Sequence, residues 1–304
     1  MLAEAQPWVF QLHLEVWFLV AAFVGLGIYA SRRIAPQLSS ARITRRQKIF
    51  FWSGALVLWL ASDWPMHDIA EEYLYSVHML QHMLLTFVFP PLVLLSVPTW
   101  LARLVVSEGS GVYTWLKRFT HPVVAGLVFN GLTALTHWAL VVNLAVENGP
   151  LHYTIHLAMV IAAFLMWMPV CGPFEEMRIS LPGQMVYLFL MSILPTIPAA
   201  WLTFAENPLY SAYEEAPRLW NVTAAHDQQW AGLIMKLGGG MYLWAIITYL
   251  FFVWAMRHEQ AERAGVVVGE RDVLTWDEVQ ETFDRLGPGP SEPAVGSAPD
   301  RGDG

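Results

Sequence analysis

The amino-acid sequence predicts an all-α fold: a polytopic membrane helix bundle with seven transmembrane helices. Of its 304 residues 56% are hydrophobic and only 14% are charged, whereas a soluble domain carries roughly 25% charged residues. Several apolar runs approach or exceed the roughly 20 residues that a helix needs to cross a bilayer. No basic surface typical of nucleic-acid binding is present. The single cysteine, Cys171, excludes a disulfide within the chain and any paired-cysteine motif.

Hydropathy gives the positions of the spans. They cover residues 13–31, 48–62, 74–98, 122–146, 152–170, 184–204 and 230–256. Fifteen of the seventeen lysines and arginines follow odd-numbered spans. Because basic loops stay on the cytoplasmic side, we predict that the N-terminus lies outside and the C-terminus in the cytoplasm. No cleavable signal peptide is expected before the first span.

The chain is predicted to divide into a transmembrane domain and a tail. Residues 1–258 form the seven-helix domain, and residues 259–304 form a cytoplasmic tail. In the tail, residues 275–286 (TWDEVQETFDRL) have the periodicity of one short amphipathic helix, with a capping box at its start. The Gly- and Pro-rich sequence that follows predicts a disordered end.

Two outer segments connect spans. Residues 62–73 (SDWPMHDIAEEY) predict a short helix that leads into the third span, with Pro65 in the first turn and acidic residues near the positive end of the helix dipole. Residues 205–229 form the longest outer loop, which is aromatic and acidic and long enough to act as a lid.

The histidines concentrate in the predicted outer half of the membrane, where eight of the ten lie. The pairs His78/His82 and His152/His156 each have a spacing of four, which brings both imidazoles to one helix face. His82 and His137 lie at similar depth, about 13 Å below the outer surface at a rise of 1.5 Å per residue. A single such histidine is more often a hydrogen-bonded core residue. Together they predict a metal or haem site, because imidazoles in hydrocarbon are costly and usually functional.

Other polar and sulfur-containing residues are open to two interpretations. Met79, Met83 and Met159 can offer thioether ligands, but methionine also fills gaps in cores. Asp227, in the polar stretch with Gln228, can orient a ligating imidazole or cap the seventh helix. Lys236 can extend towards the outer interface or pair with an acid such as Asp227.

The block from Trp64 to Pro98, WPMHDIAEEYLYSVHMLQHMLLTFVFPPLVLLSVP, resembles the signature of the CtaG-type assembly factors of caa-type cytochrome c oxidase. It has the family's outer turn, acidic pair, H-M-x-Q-H helix and proline-terminated apolar run. Later matches include His137 before Trp138, His152 with His156, and the stretch from Asp227 to Met235. Lys236 departs from the family pattern, which has an aromatic residue at that position.

The resemblance implies a multi-pass protein of the bacterial inner (plasma) membrane that takes part in maturing a haem-copper oxidase. It favours delivery of Cu(I) to the catalytic subunit, with a periplasmic copper donor as a further partner. The predicted ligands are His78, His82, His137 and His156, with His152 and His67 at the mouth of the site. The residues expected to orient them are Asp68, Asp227 and Gln228.

Two other functions fit the same residues, and a third fits them less well. A haem protein would use two histidines from facing helices, and a metal-free scaffold would hold an oxidase subunit during assembly. A transporter is less consistent with the sequence, because the cytoplasmic half has few polar residues to continue a pathway. We predict no enzymatic activity, since no nucleophile and base occur at a recognisable spacing.

Overall fold

The computed structural model describes residues 7–38 and 42–263. Within these ranges the regular structure is helical and contains no strand, which confirms the predicted all-α class. The α-helices are α1 Leu14–Tyr29, α2 Arg45–Ser62, α3 Met66–Glu72, α4 Tyr75–Met83, α5 Phe89–Ser96, α6 Thr99–Val105, α7 Gly111–Phe119, α8 Pro122–Thr136, α9 Ala139–Glu147, α10 Gly149–Cys171, α11 Leu181–Ile193, α12 Thr196–Phe204, α13 Ser211–Glu215, α14 Ala224–Leu233 and α15 Gly239–Arg263.

Several of these helices are long and apolar enough to cross a membrane. Five segments in the described residues qualify, and the pair α7 and α8, bent by 71° between them, would supply a sixth. The five segments are Leu14–Gln37, Tyr75–Ser96, Gly149–Cys171, Leu181–Phe204 and Ala224–Arg263. The protein is therefore an all-α polytopic membrane bundle. The count of seven spans and the orientation stay predictions.

The predicted fourth span, residues 122–146, is not one continuous helix. It consists of α8 and α9, which are separated by His137 and Trp138. The backbone N–H of His137 still bonds to the Thr133 carbonyl at 3.2 Å, and its Nδ1 lies 2.7 Å from the same oxygen. Trp138 then takes an extended conformation before α9 begins. The ring and the backbone N–H of His137 therefore share one acceptor, the Thr133 carbonyl, and α8 ends at this position.

Three spans contain a π-helical turn in the described residues: Ala30–Ile34 after α1, Leu84–Val88 between α4 and α5, and Ile234–Gly238 between α14 and α15. In the turn Leu84–Val88, Pro90 lies two residues further on and has no N–H to give to the Thr86 carbonyl four residues earlier. The indole Nε1 of Trp167 donates to that carbonyl instead, at 3.0 Å. Single π-helical turns inside α-helices occur frequently at functional sites.

The helices pack around α4 and α10. α4 contacts α3 and α14, while α10 contacts α5 and α8. The largest core cluster includes Met166, Trp167, Leu188 and Leu243, each less than 2% exposed. α12 and α14 approach closely at Gly232, where a Cβ atom would lie 2.4 Å from Thr203 Oγ1.

The chain divides by internal contacts into the units Met1–Trp254 and Ala255–Gly304. In the second unit the described residues are helical as far as Arg263. Arg263 forms an ion pair with Glu259, with 2.5 Å between Nη2 and Oε1. The predicted tail helix at 275–286 and the disordered end lie outside the described residues. The predicted domain boundary after residue 258 stays a prediction.

Candidate metal centre

The two histidine pairs meet in the structure. His78 and His82 on α4 have ring centroids 4.6 Å apart, and His152 and His156 on α10 have centroids 4.4 Å apart. The pairs also face each other, with 4.6 Å between His82 and His156 and 5.3 Å between His78 and His156. We call these four residues the histidine cluster. A spacing of four on each helix aligned the rings, and the packing of the bundle brought both helices together.

A carboxylate completes the outer side of the cluster. Glu71 Oε1 lies 3.1 Å from His152 Nε2, which donates to it, and 3.4 Å from His78 Nδ1 without hydrogen-bond geometry. Glu71, His78, His152 and His156 each offer one ligand atom, and all four atoms lie within 4.8 Å of one another. Ligands bound at about 2.0–2.2 Å lie at most about 4.4 Å apart. Shifts of a few tenths of an ångström would therefore let these four residues hold one ion.

The surroundings of Glu71 favour the ionised form of its side chain. Burial by itself raises the pKa of Glu71, but His152 and His78 beside it lower the pKa by more, so that it lies well below its usual range. Burial lowers the pKa of His67, one turn earlier on α3, despite the nearby charge of Glu71. An anionic carboxylate is the form of Glu71 that can bind a metal cation.

Three imidazole nitrogens in and beside the cluster are buried without a partner: His78 Nδ1, His137 Nε2 and His156 Nε2. Buried polar atoms without a hydrogen-bond partner are rare in folded proteins. His137 lies at the break between α8 and α9, and the Thr133 carbonyl fixes the proton on its Nδ1. Its Nε2 therefore carries a lone pair. His137 borders the same small cavity as the cluster, so all four predicted principal ligands lie in one region.

The remaining predicted ligand, His67, belongs to a neighbouring outer group. Its ring packs edge-on against His13 at 4.9 Å, and its Nδ1 lies 3.3 Å from Gln81 Nε2. Asp68 pairs with His13 rather than with a cluster imidazole, at 2.6 Å between Oδ1 and Nε2. The predicted role of Asp68 in orienting a ligand stays a prediction.

Asp227 also has a different partner from either predicted one. Its two carboxylate oxygens accept hydrogen bonds from the backbone N–H groups of Tyr75 and Ser76, at 2.7 and 3.0 Å. It therefore caps the N-terminus of α4 rather than the seventh predicted span, where the Thr223 side chain caps α14. Asp227 positions His78 through the helix that carries it, and it touches no imidazole in the hydrogen bonds described.

Gln228 and Lys236 make hydrogen bonds with residues outside the cluster. The Gln228 side chain accepts from Leu209 N at 2.6 Å and donates to the Leu202 carbonyl at 3.3 Å, which fastens the outer loop to α12. Lys236 Nζ donates to the Ser192 carbonyl at 3.2 Å and to Thr196 Oγ1 at 2.5 Å. Lys236 therefore pairs with neither Asp227 nor, among the described residues, any other carboxylate.

Sequence reasoning missed Glu71 and His13. Glu71 was recognised only as part of an acidic pair, because the chain leaves the helix at Tyr73 and Leu74 and the spacing to His78 carries no geometric information. His13 precedes α1 and meets α3 only through packing. The acidic pair inside a histidine-rich block was the signal that could have pointed to Glu71.

The size of the cavity beside the cluster favours an ion. Its volume is about 40 Å³, whereas pockets for organic ligands span about 300–1,000 Å³. Imidazole-rich donor sets suit copper, zinc, iron or nickel. A larger apolar cleft of about 490 Å³ adjoins His67, His152 and His156 from the side of α1 and α2.

The fold and the site together define a polytopic membrane protein in which three histidines and a glutamate near one end of its spans could hold a metal ion. The family model for the cytochrome c oxidase caa3 assembly factor matches residues 17–257. The chain therefore belongs to this family, a class of oxidase assembly factors. No curated protein and no solved structure matched the chain.

Proposed function

We propose that this protein carries copper, as Cu(I), to the catalytic subunit of a caa-type cytochrome c oxidase. The observation that supports this most is the convergence of Glu71, His78, His152 and His156, with ligand atoms within 4.8 Å of one another, in a chain of an oxidase assembly family. Copper is the cargo in this proposal and is released once the oxidase has received it.

The donor chemistry suits such a transfer. Imidazole binds copper well, and a set without thiolate holds Cu(I) less tightly than paired cysteines would. The buried unpartnered nitrogens of His78 and His156 gain a partner when an ion binds. A recipient site made of membrane-embedded imidazoles could then take the ion by stepwise exchange of like ligands.

The direction of delivery follows from the predicted topology. With the basic loops in the cytoplasm, the cluster lies in the outer half of a bacterial inner membrane. A periplasmic copper donor would load it from outside, and the oxidase subunit would receive the ion within the bilayer. The outer group of His13, His67 and Asp68 lies beside the loading side.

The test measures Cu(I) binding by the purified protein in detergent under reducing conditions. We expect a variant with Glu71→Gln, His78→Ala, His152→Ala and His156→Ala to lose binding, and the double variant His82→Ala/His137→Ala to weaken it by about 10- to 100-fold. His226→Ala is the matched control, because its side chain lies outside the cluster. Binding by the fourfold variant as tight as that of the wild type would rule out this site.

The cell-level test separates copper delivery from a purely structural role. In cells that carry the fourfold variant at wild-type abundance, the oxidase should assemble with little copper. Full oxidase copper content in those cells would favour the scaffold without a metal.

Haem binding is the second candidate, and the 490 Å³ cleft beside His152 and His156 is the observation in its favour. Within the cluster itself the rings pack at 4.4–5.7 Å, which leaves no room for a macrocycle between them. A Soret band in the purified protein that is lost in His152→Ala or His156→Ala would support haem, and a spectrum without that band would eliminate it.

A further inference from the structure

A second cavity lies deeper in the bundle than the histidine cluster. Met79, His82 and His137 border both this cavity and the one beside the cluster, so the two spaces share a wall. The deeper cavity has a volume of about 20 Å³, which is room for a single water-sized species. An ion that left the cluster inward would meet this cavity next.

Methionine is the most frequent residue type around the deeper cavity. Five methionines from four spans border it: Met79, Met83, Met159, Met191 and Met235. Thioether sulfur is a soft ligand that selects Cu(I). His137 adds a buried Nε2 that carries a lone pair and has no partner. Apart from Lys236, the lining therefore resembles a binding position for a soft monovalent cation.

Lys236 introduces a positive charge into the same lining. It lies in the π-helical turn Ile234–Gly238, and its Nζ is held by Ser192 O and Thr196 Oγ1. These two acceptors flank the break between α11 and α12 at Pro195, where regular helical hydrogen bonding stops. Among the described residues no carboxylate lies within ion-pairing distance of Lys236. The ammonium is therefore fixed in place and is not neutralised by an acid.

We infer that Lys236 is a positioning residue that excludes metal cations from this methionine-lined cavity and so confines Cu(I) to the histidine cluster. The inference rests on the proposed function, because it assigns the cluster as the position that the ion occupies. Like charges repel strongly where the effective dielectric constant is low. An ion in the deeper cavity would approach an ammonium that has no counter-ion, whereas an ion in the cluster has the carboxylate of Glu71 beside it.

The charge of Lys236 would determine how far the ion can move into the bundle. If the basic charge at Lys236 were removed, the soft donors around the cavity would be free to bind. The ion would then have a second binding position further from the outer surface, where the proposed donor loads the cluster. Lys236 would thus keep the cargo at the histidine cluster.

The experiment uses Ag(I), a redox-inert soft cation, with the full-length protein in detergent. Wild type, Lys236→Met, Lys236→Gln and Lys236→Arg are titrated, the bound silver is counted, and the neighbours of the silver are identified by X-ray absorption. We expect Lys236→Met and Lys236→Gln to bind about one more ion per chain than the wild type, with sulfur neighbours. Lys236→Arg keeps the charge and should match the wild type.

Two further variants keep the outcome clear. Lys236→Gln keeps a polar N–H donor at this position, so it remains informative if Lys236→Met unfolds. Adding Met79→Leu and Met235→Leu to the Lys236→Gln protein should abolish the extra ion. Equal silver counts in wild type and Lys236→Gln, or an extra ion with only nitrogen and oxygen neighbours, would overturn the inference.

Failure of the proposed function would look different. In that case the wild-type protein would bind no silver at the cluster. The fourfold variant of Glu71, His78, His152 and His156 would then give the same silver count as the wild type. The difference between Lys236→Gln and the wild type at the deeper cavity is measured separately from the cluster, by its sulfur neighbours.

Discussion

Removing the carboxylate of Asp227 should destabilise the protein even when no metal is bound. Asp227 is 1% exposed and accepts the backbone N–H groups of Tyr75 and Ser76 at 2.7 and 3.0 Å. These are N–H groups of the first turn of α4, which have no partner within the helix. Asp227→Ala leaves both of them buried without an acceptor, at the start of the helix that carries His78 and His82.

The size of the effect follows from these two bonds. A hydrogen bond to a charged group contributes about 1.5–3 kcal/mol, and loss of an N-cap costs about 0.5–2 kcal/mol. Because both bonds end on one carboxylate and are not additive, we expect Asp227→Ala to lower the free energy of unfolding by about 2–4 kcal/mol. Asp227→Asn keeps one acceptor oxygen, and we expect a loss of about 1–2 kcal/mol.

Unfolding by SDS, followed by tryptophan fluorescence in metal-free mixed micelles, measures this difference. Glu206→Ala is the matched control, since it removes an acidic side chain that is exposed on the outer loop. The reasoning would be refuted by an Asp227→Ala protein that unfolds at the wild-type SDS fraction. If such a protein instead bound Cu(I) more weakly, Asp227 would act on the metal, as the sequence had suggested.

Two further predictions concern the packing that holds the site. Trp167→Phe removes the donor to the Thr86 carbonyl in the π-helical turn Leu84–Val88. It should lower the free energy of unfolding in SDS by about 1–3 kcal/mol. An unchanged unfolding midpoint would show that water or another group replaces the indole. Gly232→Ala places a Cβ 2.4 Å from Thr203 Oγ1 and should cost about 1–3 kcal/mol through overpacking. Gly25→Ala, where nothing lies within 4 Å, is its control and should unfold no earlier than the wild type.

Local sequence patterns were sufficient for the all-α class and for the histidine pairs. The spacing of His78 to His82 and of His152 to His156 places each pair on one helix face whatever the tertiary structure. The break at Pro195 also has a local cause, since proline lacks an N–H. The break at His137 was not predicted, because residues 122–146 are largely apolar and hydropathy does not record where a helix is interrupted.

The partners of the acidic residues depended on packing. Asp227 and Tyr75 are 152 positions apart, and Glu71 and His152 are 81 positions apart. A sequence shows that a carboxylate is available near a helix end, but the helix that receives it is determined by which elements pack together.

The sequence by itself determined an all-α membrane protein, its oxidase-assembly family and a concentration of imidazoles along two helices. Only the tertiary structure decided that Glu71 joins those imidazoles, that Asp227 holds α4 rather than a ligand, and that Lys236 borders the methionine-lined cavity. The physical reason is the range of the interactions. Helix periodicity and hydropathy act over a few residues of chain, whereas a metal-binding group needs side chains from several helices within about 5 Å.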